Sequence, residues 1–536
     1  MIALHSRWSR RQLLFSGLGC TALGGTELWA ATPKDTLVLA QALDDMITLD
    51  PAESFEISTG EIMGNAYDRL LRVDPANPAQ LVGDLARSWS VSADGRTYRF
   101  ELKPDLRFAS GNPLGAEDVV FSLQRAVLLD KSPAFILTQL GLKKDSVLQR
   151  VVQTGPLSLS IETDRDLAPS LVYNCLTANV ASVVDRRLLL SKQTNGDFGH
   201  AWLRTQYAGS GPLKILQWRP NELVALERND QHHSVKAPLA RVIVRHVKES
   251  TTQRLLLQKG DIDVARNLSP QDLDAVKANP DLKLASARRG ELMYLAMNQT
   301  NPHLAKPEVR EALKWLIDYE GIGQTLVRNT AQVHQTFLPA GVLGSSAQKP
   351  YRLDVAKART LLSQAGLSQG FKLTIDMRTV QPYQAITEAL QQSLRQVGIA
   401  LEILPGDGKQ TLTRYRSRQH DLYLGSWGMD YWDPHTNADA FARNLDNADA
   451  AATKSLAWRN SWQVPDFNRR VEAAVMERDA ARRTRLYQDL QGEFLKTSPF
   501  AILFQVVEVA GLRAHVDGLV IGPTSESTHL FNVRKR

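Results

Sequence analysis

Trp-Ser-Val-Ser-Ala-Asp-Gly-Arg-Thr-Tyr-Arg-Phe-Glu-Leu (residues 89–102), followed by Gly-Ala-Glu-Asp-Val-Val-Phe-Ser-Leu-Gln-Arg (residues 115–125), decides the fold class of this chain. Asp94-Gly95 supplies the positive-φ turn of a β-hairpin, and Tyr98, Phe100 and Leu102 alternate along its returning strand. Glu117 and Asp118 put negative charge in the first turn of a helix, where the exposed N–H groups favour it. Val119, Val120, Leu123 and Val127 form that helix's apolar stripe. A hairpin running into an amphipathic helix predicts an α/β fold.

Alternation of the two periods continues outward. Residues 36–40 read as an opening strand, Leu49-Asp50-Pro51 as a turn, 57–71 as a helix and 157–161 as a strand. A hairpin starts at Gly209, turns at Pro220-Asn221 and returns over 223–229. Residues 242–244 and 261–264 read as strands around a helix at 252–259 that Gly260 stops. In the second half, strands are expected at 292–298, 373–375, 399–404, 421–424, 501–505 and 516–521. Helices are expected from Pro307 and over 356–365, 385–397, 467–479 and 481–496, with Val309, Leu313, Leu316 and Ile317 inward. No repeat or low-complexity linker divides the chain, so its domains are expected to be joined by crossing strands.

With 536 residues the chain exceeds what a single core usually supports. Its formal charge of +7 comes from scattered lysines and arginines, which predicts a solvated basic surface and no nucleic-acid stripe. Residues 1–30 read as a signal peptide: Ser9-Arg10-Arg11-Gln12-Leu13-Leu14 matches a twin-arginine export motif, and Leu28-Trp29-Ala30 offers a cleavage site. The apolar run is too short to span a membrane, and Gly17 makes Leu18-Gly19-Cys20 a poor lipidation box. Export leaves Cys175 as the one thiol, expected to be a small buried residue without a disulfide.

Further landmarks follow in order: Leu49-Asp50-Pro51, Gly209-Ser210-Gly211-Pro212, Gly260-Asp261-Ile262-Asp263, Val309-Arg310-Glu311-Ala312-Leu313 with Ile317-Asp318, and Leu361-Leu362-Ser363-Gln364-Ala365-Gly366. Together with the hairpin and helix they resemble the extracytoplasmic solute-binding proteins of the peptide/nickel class, which feed ABC importers. The resemblance implies a two-lobe periplasmic-binding-protein fold with mixed sheets, hinged by two crossovers. Lobe I would span 31–293 with an extra subdomain at about 67–200, lobe II 294–504, and 505–536 would return to lobe I. It implies a periplasmic monomer without cofactor that captures a peptide or peptide-like amine and delivers it to an inner-membrane permease.

Recognition chemistry concentrates in Gly-Ser-Trp-Gly-Met-Asp-Tyr-Trp-Asp-Pro (residues 425–434), expected in a loop at a strand end, where ligands favour open α/β sheets. The resemblance makes Asp430 the acceptor of the ligand's ammonium; shaping the turn is the alternative. Asp433-Pro434 reads as a helix N-cap and N1 pair. Trp427, Gly428, Tyr431 and Trp432 are expected as pocket wall. Where dipeptide-binding relatives carry Arg-Pro-Tyr, this chain has Gln381-Pro382-Tyr383. The guanidinium fork for a ligand carboxylate is therefore missing at Gln381, and Arg378 stands as its candidate substitute. The expected ligand is a longer peptide, a modified amino compound, or one with no free carboxylate. Ala457-Trp458-Arg459-Asn460-Ser461-Trp462 reads equally as pocket rim or as surface packing.

The resembled class includes nickel- and haem-binding members, but no metal site is expected. His232-His233 are adjacent and should point apart unless the backbone there is irregular, His435 stands near the pocket, and neither HExxH nor a Cys/His cluster occurs. A nucleophile elbow, a P-loop and CxxC are absent. Ser346-Ala347-Gln348-Lys349 matches SxxK without the partner motifs of serine hydrolases. A nickel- or haem-binding member of the same class is the alternative function, and a twin-arginine-exported periplasmic hydrolase the distant one.

Overall fold

The computed structural model describes residues 32–451 and 453–536; the expected signal peptide at 1–30, with its twin-arginine match and Cys20, lies outside them. The hairpin forms as Ala86–Val91 against Thr97–Leu102, with Gly95 at φ +77° in the turn. Ser158–Glu162 and Val151–Gly155 complete a four-stranded antiparallel sheet. Tyr98, Phe100 and Leu102 are buried in one core with Val119, Leu123 and Val127 of the helix Ala116–Leu129. Asp118 accepts the Gly115 N–H at 2.9 Å and so ties off the helix N-terminus. Two distant landmarks meet at this helix: Arg125 donates to both carboxylate oxygens of Asp50, at 2.9 and 2.5 Å, with both side chains buried. His200 Nδ1 lies 2.9 Å from the same carboxylate. Cys175, at the end of the helix Pro169–Cys175, is buried and free.

The larger sheet has eleven strands. From one edge run Ile399–Gly406, Phe371–Arg378 and Leu422–Gly428; two long strands follow, Leu282–Met297 and Phe500–Arg513; then come Val264–Ala265, Thr36–Gln41, Arg241–His246, Leu223–Arg228 and Leu213–Arg219. Ala331–Val333 pairs with Phe500–Arg513 off this line. The long antiparallel pair joins the two halves. Leu292 to Met297 pair with the strand Leu422–Gly428, whereas Leu282 to Arg288 face the stretch whose Gly511 and Leu512 pair with Val264–Ala265. The register breaks between Arg288 and Leu292, at the passage from one half to the other.

Several elements depart from expectation. The helix Ile57–Ala66 stops short of 71, and Tyr67 turns extended at φ −123°. Asp68 is held by the Ser210 hydroxyl at 2.8 Å, which draws the chain off the helix toward the strand Leu71–Val73. Both crossing strands are far longer than their apolar cores, because Lys283, Arg288, Arg289 and Glu291 hide the alternation of the first. The strand expected at 261–264 shrinks to Val264–Ala265; Asp263 turns its carboxylate to the Val38 N–H at 2.8 Å and Lys535 at 2.7 Å. The closing strand is only Val516–Asp517, paired with Arg534–Lys535.

Burial alone would raise the Asp50 carboxyl, but the Arg125 and His200 bonds outweigh it and hold it down at about 2. Arg125→Met strands that carboxylate and should lower stability by about 3–5 kcal/mol. A folded-state value below the unfolded one gives stability that is present above pH ~4 and lost toward pH ~2. Urea denaturation should therefore show the wild-type advantage at pH 7 and its shrinkage over that acid window. A constant difference between the two proteins would contradict the pairing.

Candidate functional site

A cavity of about 230 Å³ opens where four segments converge: the entry to the helix Ile57–Ala66, the region around Ile136 and Asn179, the end of the strand Leu422–Gly428, and the turn Ser525–Ser527. Gly60 and Gly64 let that last turn lie directly on the helix, since a Cβ at either would run into the Ser525 hydroxyl or the Glu526 backbone. The close approach delivers Glu526 to the cavity.

Three carboxylates line it, Glu56, Asp430 and Glu526, and no lysine or arginine does. Burial pushes Asp430 up to about 7, against a hydrogen bond from the Thr436 hydroxyl at 3.0 Å; the charges of Glu526 and Asp439 push the same way as burial. Burial also raises Glu56, with Asp45 and Glu53 adding repulsion. One oxygen of Glu526 takes the Ser525 hydroxyl at 3.1 Å, while Oε1 is buried without a partner. The Trp427 indole N–H is likewise buried and unpartnered. Phe55 and Ile57, 45% and 57% exposed, give the mouth an apolar rim. Such a lining accepts hydrogen bonds and positive charge, and it disfavours anions.

Of the residues singled out by sequence, Trp427, Gly428 and Asp430 line this cavity. The first two belong to the end of a strand, because Leu422–Gly428 runs further than expected. Tyr431 and Trp432 do not line it. Tyr431 is buried in the core of the four-stranded subdomain, its hydroxyl 3.2 Å from Gln139 Oε1. Trp432 packs with Val73, Val342 and Met429. Asp433 caps the helix Pro434–Ala442 and makes a buried bidentate pair with Arg483, at 2.8 and 2.7 Å. Tyr383, pushed up to about 12 by burial, hydrogen-bonds Ser426 at the cavity's edge. Gln381 is exposed, and the exposed Arg378 rests its guanidinium against Gly408, so neither reaches the lining.

The 457–462 stretch is packing and no rim: Trp458 and Trp462 are buried, and Arg418 stacks on Trp458 at 3.7 Å. Ser346 and Lys349 lie in a loop with Lys349 exposed. His435 is buried in its helix outside the lining. His232 and His233 do not diverge as adjacent residues should; their rings sit 4.3 Å apart, both beside Asp68. Sequence reasoning missed Glu56 and Glu526. The spacing of Gly60 and Gly64 was the available signal, since it marks a helix face built for close backbone approach.

A family model described as bacterial extracellular solute-binding proteins, family 5 middle, matches residues 80–449. A probable D,D-dipeptide-binding periplasmic protein of Escherichia coli (strain K12) is 28% identical over 509 residues, covering 94% of each chain. Di/tripeptide-binding protein 1 of Pseudomonas aeruginosa is 25% identical over 482 residues, 85% of this chain and 86% of the relative. The fold matches that of a Helicobacter pylori ABC transporter-associated periplasmic binding protein in complex with the peptide STSA. Its TM-score is 0.80 at 23% identity, over 93% of this chain and 98% of that one.

Between pH ~4 and ~7 the folded protein keeps a proton on Asp430 that the unfolded chain releases, so this group subtracts stability as pH rises through that window. Asp430→Asn should leave the ligand-free protein about 1–2 kcal/mol more stable than wild type at pH 8, with no advantage at pH 4. Thermal melts at the two pH values check this. A variant less stable at pH 8 would show that the carboxylate shapes its turn instead.

Proposed function

The chain belongs to the bacterial extracellular solute-binding proteins, family 5, and from that premise we propose that it captures a small peptide or peptide-like amine and hands it to the permease of an ABC importer. One observation carries this reading: three carboxylates converge on a cavity whose lining holds no basic side chain. An ammonium that meets Asp430 there makes a charge-assisted bond of about 1.5–3 kcal/mol. It also supplies the counter-charge that lets the buried carboxyl ionise. The Glu526 oxygen without a partner offers a second acceptor.

With Gln381 and Arg378 outside the lining, nothing forks onto a ligand carboxylate. The ligand's far end is therefore uncharged, blocked, or long enough to leave along Phe55 and Ile57. A volume of about 230 Å³ suits something near dipeptide size. The dipeptide and di/tripeptide names of the two relatives support that scale, and the periplasmic description of the Escherichia coli relative supports the compartment. In this reading the twin-arginine segment in residues 1–30 is the export route, and the protein acts as a monomer that releases its ligand unaltered.

Native mass spectrometry of protein taken from the periplasm, followed by denaturation, should release a small basic peptide or amine. An acidic ligand, a porphyrin or a chemically altered product would overturn the reading. Calorimetric titration then ranks probes: a dipeptide amide should bind at least as well as the free dipeptide, and its N-acetyl form at least about tenfold more weakly. Affinity for the amide should fall by up to about tenfold per unit as the pH drops below ~7, because Asp430 must lose its proton to bind a cation. Asp430→Asn should weaken binding about 10–100-fold and abolish that pH dependence. Equal binding of the acetylated probe would sink the ammonium assignment.

A further inference from the structure

A second cluster of chemistry lies on the loop that follows the strand Leu223–Arg228. Asn229 turns the chain there, its amide donating to the Ser210 and Gly211 carbonyls at 3.1 and 2.9 Å. The turn carries His232 and His233 inward onto Asp68. His232 Nε2 lies 3.2 Å from Asp68 Oδ1, and His233 Nε2 lies 3.7 Å from Asp68 Oδ2. The three side chains are only 2%, 8% and 3% exposed. One ligating atom from each comes within 4.8 Å of the other two.

We propose that Asp68, His232 and His233 form a site for a divalent transition ion of the zinc type, distinct from the ligand cavity. A tetrahedral zinc with bonds of about 2.0–2.2 Å holds its ligand atoms roughly 3.3–3.6 Å apart; here each imidazole approaches a different Asp68 oxygen, at 3.2 and 3.7 Å, and the three ligating atoms lie within 4.8 Å of one another, so small side-chain rotations bring them onto one ion. Two imidazoles with one carboxylate are a donor set suited to such ions. The independent observation is His233 itself. Both its ring nitrogens are buried with no hydrogen-bond partner, a state that folded proteins avoid.

Supporting contacts are in place. The Ser210 hydroxyl donates to Asp68 Oδ2 at 2.8 Å. Val235 offers the His232 Nδ1 both its N–H at 2.9 Å and its carbonyl at 3.2 Å. The ring can thus hold its proton on either nitrogen, and with an ion on Nε2 the Nδ1 proton goes to the carbonyl. Arg72 and Lys103 oppose further positive charge near His233, and Asp84 beside Asp68 counters them. Three protein ligands would leave the fourth position of the ion to a water. None of the three residues lines the ligand cavity. The ion would pin the 229–235 loop to the segment leaving the helix Ile57–Ala66, clamping two remote stretches of chain.

The test is a Zn²⁺ titration of chelator-treated mature protein by calorimetry, with elemental analysis after dialysis. One equivalent should bind the wild type. His233→Ala should weaken it at least about tenfold, and in the absence of metal its melting temperature should change only by the packing of the lost ring, because His233 has no hydrogen bond to lose. His233→Gln, which keeps most of the volume, gives the same reading if the alanine variant folds poorly. Both variants should still bind the amine probe as wild type does. No stoichiometric zinc in the wild type, or unaltered zinc affinity in a folded His233 variant, overturns the site.

Discussion

Glu508 sits at the point on which the rest of the molecule depends. It lies on the second crossing strand, and it is held by Arg266 beside the first-half sheet, at 2.8 Å through Nε, and by Arg289 on the first crossing strand at 3.3 Å. Arg266 also reaches Glu61 of the helix Ile57–Ala66 at 2.7 Å. Burial alone would raise Glu508, but the two guanidinium groups outweigh it and keep the carboxyl charged. Such a group of charges gains little over an apolar core of the same shape, and losing one partner is costly. Its effect is therefore geometric: both crossing strands and the helix must arrive together before any member is satisfied.

From this network the recognition surface is laid out. Arg289 also donates to the Gly522 and Thr524 carbonyls at 2.7 and 3.0 Å and to the Thr528 hydroxyl at 3.1 Å, which fixes the turn that carries Glu526. Gly60 and Gly64 let that turn close on the helix. Asp430 comes from the opposite half of the sheet, so the acids of the cavity are supplied by separate parts of the molecule and meet only when those parts are apposed. Arg165 with Glu472 at 3.0 Å, and Arg483 with the Ser170 hydroxyl at 2.7 Å, hold the subdomain against the C-terminal helices beside the cavity.

Local structure was legible where the signal was local. The Asp94-Gly95 hairpin, the Glu117–Asp118 helix start and the Asp433-Pro434 cap each need only neighbouring residues. The crossing strands were half hidden, because Arg289 and Glu508 read as solvent-facing charges until their partners are known. Trp427, Gly428 and Asp430 were found through motif resemblance, whereas Glu56 and Glu526 belong to no motif and reach the cavity through long-range packing alone. Tyr431 and Trp432 read as pocket wall in the sequence because an aromatic cluster has the same appearance there whether it faces a ligand or a core. His232 and His233 read as divergent in a regular backbone, and the Asn229 turn supplies the irregularity that brings them together.

The alternation between Asp430 and Tyr431 divides this loop into two kinds of position. Ser426, Trp427 and Asp430 border the cavity, Met429 borders it while packing on Trp432, and from Tyr431 through Asp433 the side chains are embedded in two different cores and an ion pair. Diversification at Ser426 and Asp430, which belong to neither core, can thus retune which solute is held while leaving the scaffold intact. The next three residues admit no such freedom, because each change there is read as folding before it is read as affinity. The line between an evolvable specificity and an immovable frame runs between neighbouring side chains of one loop.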